Sequence, residues 1–248
     1  MTPEEFFYHV FCPLPRQGPG CTGATHRAWS YLPDLPMYAQ VLDVGCGTGA
    51  QTRDLARLTN GSITAVDNYQ PFLDILDARV QKEGLSERVR TVNASMDALP
   101  FEKGEFDLIW SEGAIYIMGF MDGLSSWSSL CRKGGFIVVS DIAWFAMNPP
   151  MDLTQFWEKE GCIPLTEDEK TEQVHKAGLK LIATYRLPEA GWWEYYYVPM
   201  LERIIDLKKT YGTHPEFGPI LSSFEYEAEI YQKYKRYYGY TFFVMQNP

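Results

Sequence analysis

No stretch of about eighteen consecutive apolar residues occurs in the sequence, and no basic start leads into an apolar, cleavable leader. A membrane span and a secretory signal are therefore not expected, and the reading is of a soluble cytoplasmic protein. Basic side chains are in deficit: 22 Lys and Arg stand against 32 Asp and Glu, a formal charge of −10. A protein that tracks a phosphate backbone would carry a basic stripe. The nearest approach is Lys233, Lys235 and Arg236, so nucleic acid is not an expected partner. Metal-ligand spacing is missing too. The five cysteines (Cys12, Cys21, Cys46, Cys131, Cys162) form no CxxC pair, and the four histidines are scattered. Neither a zinc site nor a disulfide framework is expected, and the odd count reads as reduced thiols.

What the chain does have is apolar content, 46% over 248 residues, enough for one large α/β domain or one domain with an insertion. The informative stretch is Val41-Leu42-Asp43-Val44-Gly45-Cys46-Gly47-Thr48-Gly49. Its apolar start suits a buried parallel strand. Its three glycines permit backbone angles and approaches that a Cβ forbids. A helix then opens at Thr48 or Gly49 and runs to about Leu58. Such a turn offers backbone N–H groups and a positive helix end to a polar or anionic ligand. The spacing is GxGxG, a near miss to the GxGxxG of dinucleotide sites. A second strand, Ile63 to Val66, ends in Asp67, where a carboxylate is placed to take two ribose hydroxyls. Asp43 would repel a pyrophosphate but suits a cationic or amino-bearing ligand. An adenosine-containing ligand is expected on these grounds.

Strand and helix signals alternate over residues 41–142, the pattern of a parallel sheet covered on both faces. Further strands are expected at Val89–Asn93, Glu105–Trp110, Phe136–Ser140, Leu179–Leu187 and Tyr240–Met245. Helices are expected at residues 3–11, 22–32, 70–83, 121–131, 148–160 and 166–177. Thr166-x-x-Glu169 fits a capping box. Residues 188–239 form an insertion rich in aromatics, in which Phe224, Ala228, Tyr231, Tyr234 and Tyr238 recur at helical spacing and read as packing.

Val41–Gly49, Asp67, Ala94-Ser95-Met96, Phe106-Asp107-Leu108-Ile109 and Lys133-Gly134-Gly135 together resemble a class I S-adenosylmethionine-dependent methyltransferase, in that family's order and over roughly residues 38–142. The Pro15–Gly20, Trp110–Tyr116 and Tyr237–Phe243 segments resemble a smaller prokaryotic group within it. The resemblance implies a Rossmann-like, seven-stranded, mostly parallel sheet with helices on both faces, an antiparallel final strand and a helical, aromatic-rich insertion. It implies one domain over 1–248, divided into an N-terminal lid (1–37), a nucleotide-binding core (38–187), the insertion (188–239) and the last strand (240–248).

The cofactor implied is S-adenosyl-L-methionine. Gly45, Gly47, Thr48 and Gly49 would approach its methionine portion and Asp43 its ammonium, or else bond the turn. Asp67 would take the ribose, with Asn68 and Phe72 flanking the adenosine. Ser95 stands where the family often has an acid that accepts from the adenine amino group, and Met96 would pack on the ring. Ser111 would contact the methionine part, and Arg16 in the lid would meet the carboxylate. Catalysis is assigned to Glu112, Tyr116 and His26, with Glu112 orienting or deprotonating a cationic nucleophile or else capping a helix. Glu112, Tyr116, Trp144, Trp192 and Trp193 are expected around the acceptor.

The expected function is methyl transfer to a small molecule, with an amine favoured because aromatics and acids at the proposed mouth suit a cation. The alternatives are a non-catalytic S-adenosylmethionine-sensing protein and a nicotinamide-dependent oxidoreductase. Exposed faces of the insertion could support a homodimer.

Overall fold

The first strand, β1 (Gln40–Val44), sits at the centre of the sheet because Val41, Leu42 and Val44 leave no polar face to turn to solvent. The computed structural model covers residues 1–248. Two helices precede β1: α1 (Pro3–Phe11), with a Thr2/Glu5 capping box, and α2 (Thr22–Trp29). After β1 the chain alternates through α3 (Ala50–Leu58), β2 (Ser62–Asp67), α4 (Gln70–Lys82), β3 (Val89–Asn93), β4 (Phe106–Glu112), α5 (Phe120–Ser128) and β5 (Cys131–Trp144). Then come α6 (Met151–Lys159), the two-residue β6 (Leu165–Thr166), α7 (Glu167–Lys176) and β7 (Lys180–Arg186). The insertion comprises α8 (Glu189–Trp192), a π-helical turn at Trp193–Tyr197, α9 (Val198–Tyr211) and α10 (Phe217–Tyr234). Strand β8 (Tyr238–Gln246) closes the fold.

The strand order is β3-β2-β1-β4-β5-β8-β7, with β6 paired to β5. Strands β1 to β5 run parallel, and β8 inserts antiparallel between β5 and β7. The sheet thus has eight strands rather than the expected seven, the extra one being the short β6. Alternation along the strands divides the core. Val41, Trp110, Val138 and Phe242 belong to one apolar layer, and Leu42, Ile109, Ile137 and Phe243 to the other. No helix is long and apolar enough to cross a membrane.

Among the element boundaries that differ from expectation, three have a clear local reason. Strand β4 runs two residues past Trp110, because Ser111 and Glu112 find internal hydrogen-bond partners and so tolerate burial. Strand β5 is much longer than Phe136–Ser140, since β8 lends it a partner from Phe136 to Trp144. The α10 stripe ends at Tyr234, and Tyr238 is already strand.

Helix α1 and the loop after it lie across the carboxyl ends of β1 and β4. Phe6 stacks on Phe217, with ring centroids 4.3 Å apart, and Tyr8 stacks on Tyr69 at 3.5 Å. The amide of Gly20 donates to the Gly191 carbonyl at 3.0 Å. The N-terminal arm is therefore tied both to the nucleotide-binding side and to the insertion.

Candidate active site

Strand, glycine turn and helix bring the first group of residues together. Asp67, at the end of β2, accepts from the Gly47 amide (2.9 Å) through Oδ2 and from the Tyr69 amide (3.0 Å) through Oδ1. Burial pushes its carboxyl up, and the backbone amides pull it back. Gly45, Cys46 and Gly47 present their backbone to a cavity of about 270 Å³. Asp67, Asn68, Phe72, Ser95 and Met96 share its wall, as do Arg16, Glu112 and Tyr116.

The glycines do different jobs. All three have positive φ. A Cβ on Gly49 would lie 2.1 Å from Leu76 Cδ1, so Gly49 serves the packing of α3 on α4 and does not line the cavity. A Cβ on Gly47 would lie 2.6 Å from Gln17 Oε1. That amide oxygen accepts from Thr48 N (2.8 Å) and Thr48 Oγ1 (3.0 Å), at the start of α3. Thr48 also receives Arg79, at 2.6 Å on Oγ1, and stands outside the cavity wall.

Asp43 is fully buried and does not reach the cavity. It accepts from Thr52 Oγ1 (2.6 Å) and Gln51 Nε2 (3.3 Å), both on α3. Burial pushes its carboxyl up to about 7 against those hydrogen bonds. Gln51 thus lines the cavity, and Asp43 lies behind it as its hydrogen-bond acceptor. Ser111 is likewise turned inward, donating to the Val44 carbonyl at 2.9 Å.

Arg16 and Glu112 meet each other. Arg16 Nη2 donates to Glu112 Oε2 at 2.5 Å, with the carboxylate side chain 1% exposed. Thr25 Oγ1 (2.7 Å) and Trp110 Nε1 (3.0 Å) donate to Oε1. Arg16 and Glu112, expected to face a ligand carboxylate and a nucleophile, both line the first cavity and are paired with each other there. Three donors, from Arg16, Thr25 and Trp110, occupy both Glu112 carboxylate oxygens and tie the N-terminal arm to the end of β4. The guanidinium lies so close to Gly20 that a Cβ there would stand 2.2 Å from Arg16 Nη2.

A second cavity, also of about 270 Å³, adjoins the first. Phe7, Gln17, Gly18, Pro19, Gly113 and Tyr116 line both. The second is walled by Phe156, Trp157, Trp192, Tyr196 and Tyr240, with Glu227 among them. Glu227 Oε1 accepts from Tyr197 at 2.9 Å, and burial pushes its carboxyl up to about 7. Tyr116 stands at the junction. Burial raises its hydroxyl, and the Glu227 charge adds to that.

Of the other expected residues, Trp192 lies in this wall. His26 is exposed on α2 and lines neither cavity. Trp144 is buried against Tyr238, with centroids 6.2 Å apart, and Trp193 packs toward Tyr197 at 6.0 Å. None of these three lines either cavity. A β-strand alternates faces and the π turn rotates Trp193 away from Trp192. Gln17, Gln51 and Glu227 were not anticipated. Glu227 had a visible signal: it falls on the Phe224–Tyr231 face of α10, an acid within an apolar stripe.

Comparison with known proteins gives the same reading of the core. Residues 41–135 match a family model described as a methyltransferase domain. A methyltransferase named GfsG from Streptomyces halstedii is 30% identical over 157 residues, 60% of this chain and 55% of that protein. The chain spans little more than half the length of that relative. The solved structure of YjhP from E. coli superimposes with a TM-score of 0.82 at 17% identity, over 97% of this chain and 98% of that one. A methyltransferase from Geobacter sulfurreducens in complex with S-adenosyl-L-homocysteine gives 0.75 at 18%, over 91% and 89%. At such identities the structural likeness speaks for the fold.

Proposed function

The chain carries a class I S-adenosylmethionine-dependent methyltransferase domain, and from that premise we propose that it methylates a small molecule, an amine, held in the aromatic cavity. The observation that carries the reading is the junction of two cavities of different chemistry at Gly18, Pro19, Gly113 and Tyr116. One side has the glycine-turn backbone, the Asp67 carboxylate and the flat apolar surfaces of Phe72 and Met96, which fits an adenosine with a polar tail. The other side is mostly aromatic and contains no Lys, Arg or His, which fits an apolar or cationic molecule.

S-adenosylmethionine, when bound, supplies a methyl group already activated on a sulfonium. The residues are then left with binding, alignment and exclusion of water. Asp67 would hold the ribose hydroxyls, Asn68 and Phe72 would flank the adenosine, and Ser95 and Met96 would meet the adenine. Gly45, Cys46, Gly47 and Gln51 would meet the methionine part. Tyr116, at the junction, would orient the acceptor lone pair along the line of displacement. Arg16 and Glu112 would hold the arm closed over both.

Calorimetric titration with S-adenosylmethionine tests the cofactor half. The wild type is expected to bind, and Asp67→Ala to bind about 1–3 kcal/mol more weakly, the cost of removing a buried hydrogen-bonding partner. Incubation with a panel of primary and secondary amines, phenols and thiols, read by mass spectrometry, tests the acceptor half. A product 14 Da heavier from amines is expected. Methylation confined to phenols or thiols overturns the amine reading, and no cofactor binding overturns the whole.

A further inference from the structure

The aromatic cavity has an unusual charge balance. Its wall contains two carboxylates, Glu227 inside and Glu160 on an exposed part of the rim, and no basic side chain. Neither acid makes a salt bridge anywhere in the chain. Glu227 has a single hydrogen bond, from Tyr197 to Oε1, while Oε2 has no partner in the protein and is not sealed from solvent. An ionisable carboxyl among rings normally finds a cation or is replaced by an apolar residue, because burying its charge alone is costly. Here the chain does neither.

The walls supply the second half of the argument. Phe156, Trp157, Trp192, Tyr196 and Tyr240 surround the same space. Trp192 is itself fixed by stacking on Tyr231, with centroids 4.8 Å apart and planes at 14°. Aromatic faces attract a cation electrostatically and also accept the methyl groups of an alkylated nitrogen. Rings with one free carboxylate therefore complement an organic ammonium better than a neutral or anionic molecule.

We propose that this cavity is an ammonium-binding site in which Glu227 is the counter-ion, so that Glu227 selects an acceptor carrying a cationic nitrogen. The proposal deepens the methyl-transfer reading and rests on it only in calling the ligand an acceptor. Tyr197, behind Glu227, is a positioning residue. The other ionisable groups facing Glu227 are Tyr116, Tyr196, Tyr238, Tyr240, Cys162 and Glu160. Burial raises the five tyrosines, Tyr197 included, and the thiol, so they stay neutral around pH 7 and leave Glu227 as the inner charge that changes there.

The test uses benzyltrimethylammonium as a cationic probe that cannot be methylated, and benzyl alcohol as a neutral one. Binding is followed by tryptophan fluorescence on the full chain, with and without S-adenosylhomocysteine. The wild type is expected to prefer the cation. Glu227→Gln should weaken the cation at least about tenfold, near 1.4 kcal/mol, and leave benzyl alcohol and S-adenosylhomocysteine unchanged. Tyr197→Phe should weaken the cation less. Should Glu227→Gln not fold, the wild type alone decides: its affinity for the cation should rise between about pH 6 and about pH 8, as the carboxyl ionises, and that for the alcohol should stay flat. Equal affinity of the cation for wild type and Glu227→Gln, a preference for the alcohol, or a flat pH profile overturns the proposal. If S-adenosylhomocysteine does not bind the wild type, the methyl-transfer reading fails, and the cation titration still decides the role of Glu227.

Discussion

Arg16 and Glu112 are 96 residues apart in sequence and 2.5 Å apart in space. This pair fastens the N-terminal arm to the end of β4, in the wall of the first cavity. The contact is nearly dry, and Glu112 also receives Thr25 and Trp110. Its energetics are those of a buried ion pair, where removing one partner strands the other.

Arg16→Ala should therefore destabilise the protein by about 3–5 kcal/mol. Chemical denaturation would measure it. The double variant Arg16→Met/Glu112→Leu should recover much of that loss, since no charge is then left behind. In both, S-adenosylhomocysteine should bind more weakly than in the wild type. A double variant as unstable as the single one would show that packing of the arm, rather than the stranded carboxylate, dominates.

A second buried pair joins α7 to β5. Lys170 donates to Asp141 in a contact with both side chains almost wholly buried, and its ammonium lies 4.3 Å from the Phe120 ring centroid. Burial pushes Asp141 up, and Lys170 pulls it back. Lys170→Met should cost about 3–5 kcal/mol, and Lys170→Met/Asp141→Asn considerably less. Because neither residue lines a cavity, the affinity for S-adenosylhomocysteine should be the same in every variant that folds. Titrations on the refolded proteins would check this.

Asp43 gives a prediction about pH. Its carboxyl rises from an ordinary 3.8 to about 7 on folding, so the folded chain holds a proton that the unfolded chain has lost. Between those values the folded state binds more protons, and the Asp43 contribution to stability falls as pH rises. It is complete below about 4 and gone above about 7. Glu227 titrates with the same sign, so the useful quantity is a difference between two proteins. The melting temperature of Asp43→Asn, set against that of the wild type, should gain steadily from about pH 4 to about pH 7. Parallel profiles would mean that Asp43 stays ionised when buried.

The core of the fold was legible because its signals are local. Val89–Asn93 as a strand and Thr166–Glu169 as a capping box follow from neighbouring residues, and both appear as expected. That Asp67 and the glycine turn lie side by side was legible for the same reason, since they end adjoining strands. What could not be read was pairing across distance. Arg16 looked free because Glu112 is far along the chain, and each was assigned to a ligand instead of to the other. Asp43 looked available because Thr52 and Gln51 were read only as helix. Glu227 showed as an acid within an apolar stripe, but the stripe alone reads as packing, and the cavity beside it is formed by residues distant in the chain.

The arm has a consequence for kinetics. Phe7, Gln17, Gly18 and Pro19 belong to the wall of both cavities, and Gln17 also accepts from the Thr48 amide just ahead of α3. Any displacement of this one segment alters the two compartments together. A substitution in this segment is therefore expected to rescale the residence times of molecules held in the two compartments in concert rather than one by one.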